Sequence, residues 1–148
     1  MEQSATFLGE GPYQLGEATS GVSALASDRR AGIGTGTYDI DGGTTIARSP
    51  EYALPSNASR IGMQYYFAHR SNTTSDDRFT VTVISGNSRT LVFSVIGTPT
   101  DRPAAWGPGS FDVSPWAGQN IQLEFAAGDE GAPSLIEVAI DDLSLTVQ

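Results

Sequence analysis

Apolar residues in this chain recur at every second position, in short runs broken by turn-forming residues. Ile61, Met63, Tyr65 and Phe67 alternate with Gly62, Gln64, Tyr66 and Ala68. Phe79, Val81 and Val83 alternate with Thr80 and Thr82, then Leu91, Phe93 and Val95 form the next set. Ile121, Leu123 and Phe125 alternate with Gln122 and Glu124, and a last apolar stretch runs from Leu135 to Val147. Period-two alternation over so few residues is the pattern of a strand with one buried face. The longest hint of a helix, Val22 to Ala26, is flanked by Gly21 and Asp28. Ser85-Gly86-Asn87-Ser88 reads as a hairpin turn. Asp41-Gly42-Gly43, Pro55-Ser56-Asn57, Pro99 to Pro103 and Gly107-Pro108-Gly109 read as further breaks. Short strands at this spacing predict an all-β, antiparallel β-sandwich of about eight to ten strands.

The last strand contains a fault. Val138 and Ile140 share one face, but beyond Asp141-Asp142 the apolar set becomes Leu143, Leu145 and Val147, so the parity flips. A one-residue slip would turn every later side chain over. A β-bulge at Asp141-Asp142 repairs it and re-aims two adjacent carboxylates.

Composition narrows the function classes. Seventeen acidic residues stand against eight basic ones, all of them Arg, for a net charge of -9. That balance disfavours nucleic-acid binding, which needs basic clusters, and docking on an anionic membrane. No Cys is present, which removes disulfides and thiolate chemistry, and the single His weakens most triads. The 148 residues suit one domain, 1–148, with no linker or repeat, and Met1 reads as an expression start on an excised domain. The lack of Lys is assigned to codon bias.

Three candidate chemistries stand out. Asp39-Ile40-Asp41-Gly42-Gly43 offers carboxylates two apart and Gly that frees backbone carbonyls. With Asp141 and Asp142 it makes a candidate Ca²⁺ site, and Asp77 in Asp76-Asp77-Arg78 is a further candidate ligand. The competing reading is that Asp-Gly marks a turn and paired acids are solvated ends. Secondly, Tyr13, Tyr52, Trp106 and Trp116 sit in Pro/Gly-rich loops, and Tyr66 and His69 lie on or near the face opposite Met63 to Phe67. They are candidates for stacking on sugar rings, with core capping the favoured reading for each Trp. Thirdly, His69, Ser71 and Asp76 or Asp77 have the residue types of a triad. The sequence lacks a nucleophile elbow, so no catalytic residue is expected. Asn57-Ala58-Ser59 and Asn72-Thr73-Thr74 fit a glycosylation sequon but read as ordinary loop residues.

A series of stretches carries a resemblance: Thr19-Ser20-Gly21-Val22; Tyr38 to Thr45; Arg48-Ser49-Pro50; Tyr65 to His69; Ala104-Ala105-Trp106; Ala117 to Ile121; and Ser134 to Asp142. Over about residues 7 to 147 it resembles the C-terminal jelly-roll domains of secreted bacterial peptidases, especially zinc carboxypeptidases. It is more distantly similar to MAM and galactose-binding-like sandwiches. The resemblance implies a jelly-roll accessory domain, non-catalytic and extracellular, attached to a parent catalytic domain. It also implies a structural calcium ion. Where related sandwiches often have Glu after the first-strand Phe, here Leu8 follows Phe7. The resulting expectation is a monomeric, calcium-stabilised accessory domain that aids enzyme stability or engagement of insoluble protein substrate. The alternatives are a carbohydrate-binding module that grips polysaccharide with loop aromatics, and a structural or adhesive domain of a larger surface protein.

Overall fold

A computed structural model describes residues 2–4, 13–15, 17–28, 39–40 and 42–148 of the 148-residue chain. Among them are ten strands and one 3₁₀ turn. The strands are β1 (Glu2–Ser4), β2 (Ala24–Ala26), β3 (Gly43–Arg48), β4 (Tyr52–Ala53), β5 (Ala58–His69), β6 (Arg78–Ser85), β7 (Ser88–Ile96), β8 (Gly107–Asp112), β9 (Asn120–Asp129) and β10 (Ile136–Val147). They form two antiparallel sheets. One has the order β1-β2-β10-β5-β8; the other has the order β3-β9-β6-β7, with β4 pairing to β9 beyond the end of β3.

Each long strand sends alternate side chains into the space between the sheets. Phe67, Phe79, Val81, Phe125, Ile121 and Val138 fill the centre. Tyr65, Phe79 and Phe93 meet ring to ring, with centroids 5.2 to 6.0 Å apart, which fixes the sheets face to face. The β6–β7 hairpin closes at Gly86-Asn87, where Gly86 takes φ 56°, a left-handed conformation that glycine adopts without a Cβ clash.

The predicted bulge is present. Asp141 pairs with Gln64 and Ser144 with Gly62, so two residues of β10 oppose one of β5. Leu145 therefore lies opposite the buried Ile61, on the inter-sheet side.

Val22 to Ala26 forms no helix, in line with the sequence, and Ala24–Ala26 is strand β2. One expectation is corrected. Gly107-Pro108-Gly109 is no break but the start of β8. Among the described residues β8 pairs only with β5, so the missing N–H of Pro108 falls on an edge. Gly109 permits close approach, since a Cβ there would meet Met63 Cε at 2.8 Å and Tyr65 Cδ1 at 3.0 Å.

Candidate functional site

Of the five carboxylates expected to share a metal, the four among the described residues lie in separate places. Asp41 lies outside the described residues. Asp77 is fully buried near the start of β6 and belongs to a loop staple with Asp129. Its carboxylate accepts from the Thr74 amide at 2.7 Å and the Glu130 amide at 2.9 Å. Asp129 accepts from the Gly42 amide at 2.8 Å and from Ser134 Oγ at 2.9 Å. These donors satisfy both acids, as buried carboxylates require.

Asp39 lies elsewhere, near enough to Glu137 for its charge to act on that residue. Asp141 and Asp142 form a third place. Thr19 donates to both, its hydroxyl at 2.7 Å from Asp141 and 2.8 Å from Asp142, while its amide reaches Asp141 at 2.8 Å. Ser20 Oγ closes on Asp142. Burial opposes ionisation of Asp141, but the donors from Thr19, Asp142 and Ser20 outweigh it and hold its carboxyl below the usual range. Among the described residues no three acidic or imidazole side chains come together as a metal cluster.

The aromatic candidates are turned inward to differing degrees. Tyr66 is buried on the outer face of the first sheet, edge-on to Trp106 with centroids 4.9 Å apart. Trp106 is half-buried, and its Nε1 donates to the Glu17 carbonyl at 3.1 Å. Trp116, in the 3₁₀ turn, packs against the core. His69 is also buried. It leans on Phe67, its main chain bridges to Arg102, and its Nδ1 lies 3.1 Å from the Arg70 carbonyl. Ser71 turns away, its amide bonded to Asp101. Tyr52 is half-buried in an apolar gap of about 240 Å³ between the sheets, with Ile61, Leu123, Leu143 and Leu145. Tyr66 and His69 thus offer no exposed ring to a ligand, because the cover over the first sheet and the end of the core take up their faces.

Two buried glutamates were not singled out in the sequence. Glu137 on β10 is 3% exposed, under a cover built from the segment around Tyr13, Leu15 and Ala18 together with Ala104 and Trp106. Ser27 Oγ donates to it at 2.8 Å. Burial, with the nearby charges of Asp39 and Asp28 and against the Ser27 bond, pushes its pKa up to about 8. Glu124 on β9 is 5% exposed, on the outer face of the second sheet. Arg48 Nε meets one carboxylate oxygen at 2.6 Å and Arg89 the other. Burial would raise its pKa, but the two guanidinium bonds reverse that and hold it below the usual range.

The second sheet's outer face is built in rows by strand register. One row is Arg48–Glu124–Thr82–Leu91, the next Ile46–Ala126–Thr80–Ser94, and the next Thr44–Gly128–Arg78–Ile96. Small residues in the middle of β9 leave an open trough of about 280 Å³, floored by Thr44, Thr80, Ala126 and Gly128. Arg78, paired with Glu130 at 2.8 Å, lines one end, and the Arg48–Glu124–Arg89 cluster stands in the register row next to Ala126, beside the opposite end and outside the trough lining. Only register could reveal this assembly, since Arg48 and Glu124 are 76 residues apart.

No helix among the described residues is long and apolar enough to cross a membrane. No protein-family model matches the chain, and no curated protein matches it. Solved structures do. The carbohydrate-binding module TmCBM61, determined with β-1,4-galactotriose, superposes at TM-score 0.54 and 16% identity, covering 89% of this chain and 75% of that one. The K1 cleaved adhesin domain of Lys-gingipain from Porphyromonas gingivalis W83 matches at 0.55 and 15%, covering 85% and 75%. The K2 cleaved adhesin domain of Lys-gingipain matches at 0.55 and 14%, covering 88% and 75%. At such identities the likeness is one of architecture: the chain is an antiparallel β-sandwich of jelly-roll type.

Proposed function

We propose that this chain is a non-catalytic glycan-binding module of a secreted bacterial protein, with its ligand surface on the outer face of the second sheet. The observation that carries this reading is the open trough on that face, with threonine hydroxyls in its floor, Arg78 in its lining and Arg48 and Arg89 one register row beyond its other end. Hydroxyls and guanidiniums hydrogen-bond sugar hydroxyls, and the exposed Ile46 and Leu91 offer contact to the C–H faces of the rings. The fold shared with a carbohydrate-binding module is compatible with this role. Affinity electrophoresis against a polysaccharide panel tests it. Thr80→Trp, which fills the trough, is expected to abolish retardation, whereas Trp106→Ala and Trp116→Ala leave it. The opposite pattern returns the site to the loop aromatics.

A second reading, an accessory domain of a peptidase, draws on a different observation. Leu143 and Leu145 are 51% and 41% exposed on the C-terminal strand, an apolar edge on which a parent catalytic domain or an insoluble protein would rest. Pull-down on gelatin or collagen, lost in Leu143→Ser, favours it.

Calcium belongs to either reading. The donor set Asp141, Asp142, Thr19 and Ser20 is all oxygen, as Ca²⁺ requires. These side chains would hold the ion, and it would supply a cross-link between the N-terminal segment and β10. Chelation is expected to lower the melting temperature by several degrees, with Ca²⁺ restoring it and Asp141→Asn abolishing the difference. Identical melts with and without chelator dismiss calcium.

A further inference from the structure

We propose that the trough takes an acidic glycan and that Arg48 and Arg89 grip the carboxylate of a uronic acid residue. This deepens the glycan-binding reading and rests on it. The argument starts from charge. One buried glutamate needs one cation, yet Glu124 has two. The cluster therefore carries a net positive charge in a chain whose total is -9. The sign is also layered. Glu124 lies beneath, its side chain 6% exposed, while Arg48 and Arg89 stand above it at 54% and 50%.

Each guanidinium has five N–H donors in a planar fork, and each spends one side of that fork on Glu124. Glu124 thereby fixes the orientation of both forks and leaves further N–H groups toward solvent. Guanidiniums held in this way are pre-organised for carboxylate, the anion whose planar geometry they match. At the far end of the trough Arg78 is paired one to one with the exposed Glu130, so the anion-selective end is the one at Arg48 and Arg89.

A polyhydroxylated ring fits the stretch between the ends better than a peptide does. The trough lies on the face of β9 and β6, whose backbone groups are engaged by strands on both sides, β3 and β6 for β9 and β9 and β7 for β6. An extended peptide gains affinity by adding to a free edge, whereas the floor strands β9 and β6 present only their face. The overall negative charge of the chain acts weakly at this face, since salt screens exposed charges beyond about 8 Å at physiological ionic strength.

The test uses the full chain and calorimetry with trisaccharides of galacturonic, glucuronic and mannuronic acid. Their methyl esters, neutral β-1,4-galactotriose and a short poly-glutamate serve as controls. The expected result is binding of at least one uronic acid trisaccharide, weakened about tenfold or more by esterification and by Arg89→Gln, and weakened by salt. Because Arg89→Gln disturbs Glu124, Thr80→Tyr is measured beside it; it keeps every charge and is expected to block binding with an unchanged melting temperature. Equal affinity for the acid and its ester, or for poly-glutamate and the sugars, overturns the proposal. Binding of galactotriose alone, lost in Thr80→Tyr, overturns it while leaving the glycan reading intact. Absence of binding to every sugar overturns both.

Discussion

The outer faces of the two sheets each bury one glutamate, and they do so in opposite ways. Glu137 sits under a polypeptide cover with one serine donor, and its pKa is pushed up to about 8. Glu124 sits under two arginine side chains on an otherwise open face, and its pKa is held down. The two differ little in exposure, 3% and 5%. Burial alone therefore does not set the charge of a carboxylate; what lies over it does. A chain cover excludes water without supplying a counter-charge. An arginine cover supplies the charge and keeps the face polar. The first arrangement closes a surface, and the second leaves one able to meet a ligand.

The largest test of this contrast removes the arginine cover. Arg48→Ala with Arg89→Ala removes two charge-assisted bonds and uncovers Glu124 to solvent, which is expected to cost about 2 kcal/mol in urea denaturation. Adding Glu124→Gln to the pair should change little more, because water already meets the uncovered carboxylate. An unchanged midpoint in the double variant would show that the ion cluster contributes little.

The second test titrates the chain cover. Between the ordinary carboxylate range near 4.5 and the folded value of about 8, native Glu137 binds a proton that the unfolded chain releases. Its contribution to stability is therefore full below that range and is lost as pH rises toward and through 8. Glu137→Gln cannot ionise, so relative to wild type it should gain on the order of 2 kcal/mol from pH 5 to pH 8.5. Parallel stability–pH curves for the two proteins would break the comparison. A smaller effect comes from Ser27→Ala. Losing one hydrogen bond to Glu137 should cost about 1 kcal/mol at alkaline pH and less at pH 5, with the Glu137 midpoint moving further up by NMR titration.

Much of the architecture was legible because alternation is local. Phe79 to Val83 and Ile121 to Phe125 carry their own period, and Gly86-Asn87 its own turn. The break in parity after Ile140 located the bulge without reference to any partner strand. Strand β8 was hidden because Gly107-Pro108-Gly109 looks like a turn until Met63 and Tyr65 are placed against it. The outer-face cluster was hidden for a related reason. Glu124 reads as a solvent-facing residue in an alternating strand, and only the pairing of β3 with β9 sets Arg48 beside it. The loop aromatics allowed two readings, and core capping, the one favoured for each Trp, describes Trp116 on the core and Trp106 in the chain cover. The acids at 39, 41, 77, 141 and 142 read in the sequence as ligands of a cation. The donors that reach Asp77 from Glu130 and Asp141 from Thr19 are distant in sequence and appear only when the loops are folded together.

The spare residue in β10 sets the phase of everything after it. Deleting Asp141 or Asp142 would remove the bulge and leave a regular strand with Leu143 and Leu145 still on the inter-sheet face, whereas inserting a residue after the bulge would exchange the faces of Leu143, Leu145 and Ser144. The C-terminal strand is therefore more exposed to an insertion than to a change in side chain. The residue that absorbs the extra step, Asp142, does so at φ 49°, a left-handed backbone that Asp tolerates and β-branched residues do not. Two requirements thus meet at one position: the backbone there narrows the alphabet, and the bulge it forms keeps the leucines on the side where the sheets meet.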